Sequence, residues 1–389
     1  MKPIQLISPV DGSVYAERMP LAATQADAVV ARAKAAQKPW AARPLEDRIA
    51  LVKAGVAKLN TMTDVVVEEI AWQMGRPTRF GGEFGGVNAR TDYMASIAAK
   101  TLAPEMIENS DKFRRYLARE PVGVVFIIAP WNYPYLTTIN TLVPALIAGN
   151  TVVLKHASQT LLVGERLAEA FHAVGIPKDV FQNVVLDHAT TERLIGARSF
   201  GFVNFTGSVG GGQAIERAAA GTFTPLGLEL GGKDPGYVRE DANLDLAVDV
   251  LMDGAMYNAG QCCCGIERIY VHESLFDSFV EKSVAWVGQL KLGNPFDAST
   301  TLGPMAHKRF AQVVRDQTAE AIAKGAKPLL DPKKFADDGG AYLAPQILIN
   351  VDHSMRVMKE ESFGPVVGIM PVKNDAEAIA LMNDSPYGL

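Results

Sequence analysis

The sequence predicts an α/β protein with a parallel sheet, followed by a second α/β region. From residue 122 onward, short apolar runs alternate with helical stretches, which is typical of right-handed βαβ units. The first run, VGVVFIIAP, is apolar throughout and ends at a proline, as expected of a strand buried on both faces. A new alternation starts after Gly232. The 389 residues are enough for a large core and more than one domain.

The first hundred residues are predicted to form a short hairpin and then helices. Asp11 and Gly12 are a turn pair between two short strands. Gly75 is a suitable C-cap for the third helix. Apolar periodicity predicts helices over residues 24–38, 48–59 and 65–74, and a further helix that ends near residue 102.

The two α/β regions follow. Residues 114–120 alternate like a strand and precede the first region. In the first region, strands are predicted over 122–130, 150–157, 181–186, 200–208 and 223–232, and helices over 137–149, 161–174 and 213–221. In the second region, strands are predicted over 267–273, 339–349 and 362–372, and helices over 244–257, up to 290 and over 375–383.

The composition excludes several classes of protein. The formal net charge of −5, from 38 basic and 43 acidic residues, argues against a nucleic-acid surface. No run of 18 apolar residues occurs, so no membrane span is predicted. The first residues lack the apolar core of a signal peptide, and a cytoplasmic location is expected.

The three cysteines of the chain are adjacent, at Cys262, Cys263 and Cys264. Neighbouring Cα atoms are ~3.8 Å apart, which is too close for an ordinary disulfide. A structural zinc site needs spaced ligands and no second cysteine pair exists, so no metal site is predicted. Two interpretations remain: buried structural thiols, or a reactive thiol with thiol neighbours.

Three other segments lie at predicted strand or helix ends, where α/β proteins build their sites: APWNYP (129–134), FTGSVGGG (205–212) and LELGGKDP (228–235). Each alone has an ordinary explanation. Asn132 can be a turn residue, Glu229 a surface carboxylate, and the glycine-rich segment a flexible turn.

Glu229 is the most informative of these residues. Leucines and glycines flank it in a strand that we predict to be buried. A buried carboxylate must be paired, or its pKa rises towards the range of a general base. Lys233 is close enough in sequence to leave an ion pair as the alternative.

Taken together, the segments resemble the aldehyde dehydrogenase superfamily from near residue 5 to the end of the chain. Gly260, Gln261 and Cys263 match its G-Q-x-C signature, with Arg268 five residues later, and residues 228–233 match L-E-L-G-G-K. Cys263 follows Glu229 by 34 residues, the spacing of the family. The segments PWN (130–132) and E-x-F-G-P (361–365) match as well.

The resemblance implies oxidation of an aldehyde to a carboxylic acid with NAD or NADP. Cys263 would be the nucleophile that forms a thiohemiacetal and then a thioester. The side-chain amide of Asn132 and the backbone N–H of Cys263 would bind the oxyanion. Glu229 would activate the water that hydrolyses the thioester.

The resemblance also implies binding roles for further residues. Lys155 and Glu361 would bind ribose hydroxyls, and Phe363 would bound the nicotinamide ribose. Further cofactor contacts are expected from Trp131, which also lines the substrate funnel, and from Ser158, Thr206, Gly207 and Ser208. Ser208 opens a helix whose N-terminus suits phosphate. The substrate pocket is expected to include Tyr135, Cys262 and Cys264.

The chain departs from the family pattern at the adenosine ribose. The family has Lys-Pro-x-Glu, whereas this chain has Lys155, His156, Ala157 and Ser158. Ser158 would not repel a 2′-phosphate, so NADP and NAD are both credible. His156 is interpreted as a loop residue rather than a catalyst.

The resemblance implies a Rossmann-like NAD(P)-binding domain over 1–101 and 122–231, a bridging oligomerisation hairpin over 102–121, and a catalytic domain over 232–389 that is incomplete relative to the family. A homodimer or homotetramer is expected of the full-length form. The alternatives are a relative that passes the thioester to coenzyme A, and a truncated, inactive cofactor-binding or structural protein.

The substrate is expected to be a small aliphatic or aromatic aldehyde, with semialdehydes included. In an extended segment, Cys262 and Cys264 would face away from Cys263 and would line the pocket or pack as small apolar residues.

Overall fold

The computed structural model describes residues 2–388, and these residues divide into two compact units. Unit 1 contains residues up to Leu6, then Ala16–Glu69 and Gly81–Leu230. Unit 2 contains Ile7–Tyr15, Ile70–Phe80 and the residues from Gly231 onward. No helix within 2–388 is long and apolar enough to cross a membrane.

The N-terminal part of the chain confirms the predicted hairpin and helices. Strands β1 (Ile4–Ile7) and β2 (Val14–Arg18) form a two-stranded sheet on either side of the Asp11–Gly12 turn. Four helices follow: α1 (Ala23–Ala41), α2 (Leu45–Asn60), α3 (Thr63–Met74) and α4 (Phe84–Leu102). Gly75 has a φ of 79°, the left-handed conformation expected of a C-cap glycine.

A separate antiparallel hairpin lies within the predicted bridging segment. It consists of β3 (Glu105–Asn109) and β4 (Arg114–Leu117), so the strand predicted over 114–120 ends three residues early. Its apolar side chains are solvent-exposed, namely Met106, Ile107, Phe113, Tyr116 and Leu117.

The sheet of unit 1 contains five parallel strands in the order β7-β6-β5-β8-β9. The strands are β5 (Val124–Ile128), β6 (Thr151–Lys155), β7 (Phe181–Asn183), β8 (Phe202–Thr206) and β9 (Leu226–Glu229). The helices between them are α5 (Pro134–Ile147), α6 (Leu161–Ala173), α7 (His188–Gly196) and α8 (Val209–Ala219). The sequence prediction missed α7, because its first turn is polar and too few apolar residues follow for a helical pattern to be recognised.

The core of unit 1 explains why β5 and β6 are apolar throughout. One face of the sheet buries Val124, Phe126, Ile128, Val153 and Val203 against α1, α7 and α8. Both faces are covered by helices, so no position of β5 is available for an alternating polar residue.

Unit 2 has a second five-stranded sheet in the order β10-β11-β14-β13-β12. Its strands are β10 (Asp234–Val238), β11 (Ile266–His272), β12 (Lys327–Pro328), β13 (Gln346–Ile349) and β14 (Val366–Val372). Only the β12–β13 pair in this sheet is antiparallel. The helices are α9 (Leu244–Met256), α10 (Phe276–Val287), α11 (Lys308–Ala323), α12 (Arg356–Lys359) and α13 (Asp375–Asn383).

Alternate residues of β11 enter different layers of the unit 2 core. Ile269 and Val271 pack in one cluster with Met252 and Phe279, whereas Tyr270 packs in another with Val314. The sheet therefore has helices on both faces, in agreement with the burial of residues 267–271 of β11. The α/β class predicted from the sequence is confirmed.

Candidate active site

The carboxyl edge of the unit 1 sheet collects the predicted residues of that unit. In the strand register, Ile128 pairs with Lys155 on one side and Phe205 on the other, and Thr206 pairs with Glu229. The chain order reverses between β5 and β8, and open α/β sheets bind ligands at such a switch point. Asn132, Lys155, Thr206 and Glu229 therefore follow strands that end at one edge.

Glu229 is the last residue of β9, and its side chain is exposed. The prediction that it is buried is wrong, because β9 is an edge strand whose carboxyl end leaves the sheet. Lys233 is bonded to another carboxylate, that of Glu267, at 2.6 Å. Exposure keeps the Glu229 carboxylate hydrated and leaves it accessible to a water molecule.

The loop after β5 carries Trp131 and Asn132. Trp131 is half-buried and Asn132 is 4% exposed. Helix α5 starts two residues later with a proline in its first turn, and Glu83 Oε2 accepts hydrogen bonds from the backbone N–H groups of Tyr135 and Leu136. A carboxylate at a helix N-terminus is favourable, so α5 begins at a fixed point and holds the loop before it.

Tyr135 is placed in the core rather than on a surface open to a substrate. Its side chain has no exposed area, and burial raises the pKa of its hydroxyl well above the ordinary value. Its ring centre lies 6.4 Å from that of Phe84. The predicted pocket role of Tyr135 is corrected accordingly, because residue 135 faces inward from the first turn of α5.

Lys155 ends β6, and burial lowers the pKa of its ammonium. No ion pair with Lys155 forms among residues 2–388. The charge of Asp187 partly opposes this pKa shift from beyond ion-pair distance. A partly desolvated cation in no direct ion pair suits a ligand that brings hydroxyl or phosphate oxygens to the sheet edge. This observation fits the ribose of a dinucleotide.

His156 is buried in the loop after β6, which agrees with the interpretation that it is not a catalyst. Its Nδ1 accepts a hydrogen bond from Ala157 N at 3.0 Å and lies 3.0 Å from Thr160 Oγ1. Burial lowers its pKa to about 4, so the ring is neutral at physiological pH. These bonds fix the loop that presents the exposed Ser158.

The β8–α8 turn has the features of a phosphate site. Ser208 Oγ accepts from Gly211 N at 3.2 Å and caps α8, while Gly207 N donates to the carbonyl of Glu229 at 2.9 Å. A Cβ at Gly210 would meet no atom within 4 Å apart from its chain neighbours and the backbone of its own helix, so this side of the first turn is open to a ligand. Helix N-termini with accessible N–H groups bind phosphate.

In unit 2, the cysteine loop (residues 258–265) begins with three consecutive left-handed residues. Asn258 and Ala259 both have a φ of 55° and Gly260 has a φ of 69°. This backbone is costly for the two non-glycine residues and is typical of functional sites. Arg76 Nε donates to Asn258 Oδ1, and Gln261 Nε2 donates to the Asn258 carbonyl.

Position 260 requires glycine because its Cα lies directly against the backbone of another segment. A Cβ at this position would lie 2.2 Å from the carbonyl oxygen of Gly364. The cysteine loop therefore packs against the segment from Glu361 to Pro365, here named the Glu361 loop, with no side chain between them.

The three cysteines lie in a tight turn, so the prediction of an extended segment is wrong. Gly265 N donates to the Cys262 carbonyl, and Cys262 Sγ lies 3.4 Å from Cys264 Sγ. Cys262 and Cys263 are half-buried, whereas Cys264 is exposed. Hydrogen bonds from the thiols of Cys262 and Cys263 lower the pKa of the Cys264 thiol. Hydrogen bonds with Cys262 and Cys264, together with burial, raise the pKa of the Cys263 thiol.

The Glu361 loop holds Glu361 against the start of β10. Gly232 N donates to Glu361 Oε1 at 3.2 Å, and Gln317 Nε2 donates to the Glu361 carbonyl. Burial and, second, the charge of Glu267 raise the pKa of Glu361 to about 7. Phe363 is half-buried and has a φ of 52°, a strained value for an aromatic residue.

Sequence reasoning missed the polar network beneath this loop. Glu267, 3% exposed, binds the ammonium of the fully buried Lys233, which also donates to Ser362 Oγ at 3.1 Å. The sequence contained a signal for this network, because Glu267 and Arg268 are charged residues in a strand whose other residues up to Val271 are Ile, Tyr and Val. No group of three His, Cys, Asp or Glu side chains within the described residues is arranged to hold a metal ion.

Comparisons with known proteins identify the family of the chain. Residues 1–389 match the model of the aldehyde dehydrogenase family. The chain is 34% identical to the 3,6-anhydro-alpha-L-galactose dehydrogenase of Streptomyces coelicolor over 99% of this chain and 79% of the relative. It is 31% identical to the NADP(+) succinate-semialdehyde dehydrogenase of Deinococcus radiodurans, over 100% of this chain and 81% of the relative.

A solved structure leads to the same family. The betaine aldehyde dehydrogenase of Staphylococcus aureus, in complex with NAD+, superposes with a TM-score of 0.92 at 31% identity, covering 100% of this chain and 78% of that one. From the family match over its whole length and these relatives, the chain belongs to the aldehyde dehydrogenase family.

Proposed function

We propose that this chain oxidises an aldehyde to a carboxylic acid through a thioester on Cys263. The chain is an NAD(P)-dependent oxidoreductase, as its relatives are. The observation that carries the assignment of residues is the register of the unit 1 sheet, which gathers Asn132, Lys155, Thr206 and Glu229 at one edge.

The proposed chemistry begins at Cys263. Its thiolate attacks the aldehyde carbon, a C–S bond forms, and the carbonyl oxygen becomes an oxyanion that accepts from the Asn132 amide and the Cys263 N–H. Loss of hydride from that carbon leaves the thioester. Glu229 then takes a proton from a water molecule, whose oxygen attacks the thioester carbon. The C–S bond breaks, the acid and the Cys263 thiolate are released, and the proton passes from Glu229 to solvent.

The cofactor would be held mainly at the unit 1 edge. The N-terminus of α8 with Ser208 suits the pyrophosphate, Thr206 and Gly207 border it, and Lys155 and Glu361 would bind ribose hydroxyls. Phe363 would bound the nicotinamide ribose, and Trp131 would border the site. When bound, NAD or NADP supplies the hydride acceptor. Ser158 brings no negative charge, so we propose that both cofactors are accepted.

The remaining parts of the proposal are coarser. The substrate would be a small or medium aldehyde, semialdehydes included. The exposed apolar side chains of the β3–β4 hairpin support its use in a homodimer or homotetramer. A cytoplasmic location is proposed.

The test is an aldehyde panel with NAD+ and NADP+, followed by absorbance of the reduced nicotinamide. Wild-type protein is expected to turn over, and Cys263→Ala to lose at least about 10⁴-fold in kcat, in line with loss of a covalent nucleophile. Cys264→Ala, a neighbouring thiol with the same volume change, is the matched control and is expected to keep most activity.

Product identification with and without coenzyme A completes the test. A free carboxylic acid in both cases supports the role of Glu229 as the base for water. An acyl-coenzyme A product would contradict that role, and a fully active Cys263→Ala protein would exclude the thioester.

A further inference from the structure

The charged pair Glu267–Lys233 lies beneath the Glu361 loop and is entirely enclosed in unit 2. Glu267 is 3% exposed and Lys233 has no exposed area. Glu267 stands at the start of β11, which lies between β10 and β14 in the sheet. Its carboxylate is therefore next to the segments that lead into both neighbouring strands.

Each oxygen of Glu267 is engaged. Oε2 accepts from Lys233 Nζ at 2.6 Å and from Ser362 N at 2.7 Å, and Oε1 accepts from Phe363 N at 2.8 Å. Short bonds to an ionised acceptor are among the strongest hydrogen bonds in proteins. Two successive backbone N–H groups of the Glu361 loop thus depend on one side chain.

This arrangement is more than a device for stability. A buried ion pair contributes little net stability, because desolvation offsets the attraction of its charges. The bonds of Glu267 instead determine a geometry: they stabilise the left-handed φ of 52° at Phe363 and fix the residue after Glu361.

We infer that Glu267 is a positioning residue for cofactor binding, which acts by holding the backbone of Ser362 and Phe363 and so the side chains of Glu361 and Phe363. The inference rests on the proposed function, because it takes Glu361 and Phe363 as cofactor contacts.

The charges around Glu361 provide a readout that a purely structural role would not move. Its carboxylate faces the anion of Glu267 and the cation of Lys233, accepts from Gly232 N, and has the Tyr387 hydroxyl nearby. Burial and Glu267 together raise the Glu361 pKa to about 7. Removal of the Glu267 charge should therefore lower the pH midpoint of any step that needs the Glu361 carboxylate.

The experiment measures NAD+ and NADP+ binding by titration of tryptophan fluorescence from pH 5.5 to 8.5, with the Tm and steady-state kinetics of the same samples. Glu267→Gln is expected to raise the Kd and KM of the cofactor about tenfold, the equivalent of one hydrogen bond to a charged group, and to lower the pH midpoint of binding. The KM of the aldehyde is expected to change less than about twofold, since only the cofactor side is displaced.

Two further variants separate the role from stability. Glu267→Gln with Lys233→Met removes both charges, so it leaves no buried unpaired ammonium and should fold even if the single variant does not. It is expected to show the same weakened cofactor binding. Glu69→Gln is the matched control, because Glu69 is a buried, ion-paired glutamate of unit 1, bonded to Arg166 at 2.7 Å.

Wild-type Kd and pH midpoint in folded Glu267 variants, with only the Tm lowered as in Glu69→Gln, would overturn the inference. Failure of the proposed function gives a different result: wild-type protein would bind cofactor without turning over any aldehyde, and the binding titrations would still decide the role of Glu267.

Discussion

The two sheets of this molecule present their candidate residues at opposite ends of their strands. In unit 1, Asn132, Lys155, Thr206 and Glu229 follow or end strands, whereas in unit 2 Cys263 and Glu361 precede β11 and β14. Loops at the carboxyl edge of a parallel sheet are gathered by its topology. Loops at the amino edge have no such rule, and here left-handed backbone and a buried charged pair hold them in place.

The two sheet edges differ in how tightly their loops are packed. The unit 1 edge keeps an open turn, in which Gly210 has space around it. The unit 2 edge is closed, since Gly260 touches the backbone of Gly364 and Glu267 fixes the next two N–H groups. We therefore expect substitutions at the unit 1 edge to change chemistry or cofactor choice. At the unit 2 edge, substitutions other than those of Cys263 are expected to change geometry.

After the loss of Cys263 itself, the largest effect is expected at Asn132. Asn132→Ala should lower kcat by about 10²–10³-fold, because one donor to the oxyanion is lost, while the cofactor Kd stays unchanged. Asn140→Ala, at an exposed position of α5, is the control and should be neutral. An unchanged kcat in the Asn132 variant would show that Asn132 takes no part in the chemical step.

Substitution at the closed edge should affect folding. Gly260→Ala places a Cβ 2.2 Å from the Gly364 oxygen at a φ of 69°, and we expect a destabilisation of about 2–4 kcal/mol. Gly210→Ala is the paired control at the open edge and should leave the Tm within about 1 °C. Equal Tm values for both variants would contradict the claim that the unit 2 edge is more tightly packed than the unit 1 edge.

Cofactor choice should respond to a charge at the open edge. Ser158→Glu should raise the Kd of NADP+ about tenfold or more and leave that of NAD+ nearly unchanged, because a carboxylate repels the 2′-phosphate. Ser158→Gln is the uncharged control. The ratio of the two Kd values, from fluorescence titration, measures the effect, and equal changes for both cofactors would place the 2′-phosphate elsewhere.

The closed edge predicts a pH dependence with opposite signs for binding and stability. The Glu361 pKa of about 7 lies above the ordinary carboxyl value. The carboxylate that we propose as an acceptor of ribose hydroxyls is therefore present above pH 7, and cofactor affinity is expected to fall below that pH. Because the folded chain holds this proton more tightly than the unfolded chain, the contribution of Glu361 to stability falls as pH rises towards 7. Glu361→Gln should remove both trends; binding that strengthens at low pH would contradict the assignment.

The smallest effect concerns the order of thiol modification. In the absence of ligands, Cys264 should be alkylated before Cys263, because Cys264 is exposed whereas Cys263 is half-buried. Peptide mass spectrometry after a brief iodoacetamide treatment gives the order. First modification of Cys263 would show that the thiolate resides there in the resting protein.

The sequence predicted the open edge better than the closed edge, for a physical reason. Parallel strands such as β5 and β6 are recognisable as apolar runs, and their ends define the site once the topology is inferred. Glu229 was assigned correctly to a strand, but its position at the strand end and its exposure were not predicted. An edge position depends on pairing partners that the pattern of one strand does not contain.

The closed edge was predicted in part only. The family motif located Cys263 and Glu361, yet the turn at the cysteines, the left-handed Asn258 and Ala259, and the role of Glu267 all depend on contacts between residues distant in sequence. Glu267 and Ser362 are 95 positions apart. No local propensity encodes such a bond, although a charged residue in an apolar strand indicates that a partner must exist.

The direct contact between Gly260 and Gly364 also has a consequence for attempts to redesign the enzyme. Two backbones that touch offer no side chain to exchange, so neither position can widen, narrow or recharge the surroundings of the thiol. Libraries that seek a new aldehyde range should therefore leave both glycines fixed and vary other positions, such as the half-buried Trp131 in the loop after β5. In this molecule, useful sequence variation is confined to positions where a side chain can be exchanged.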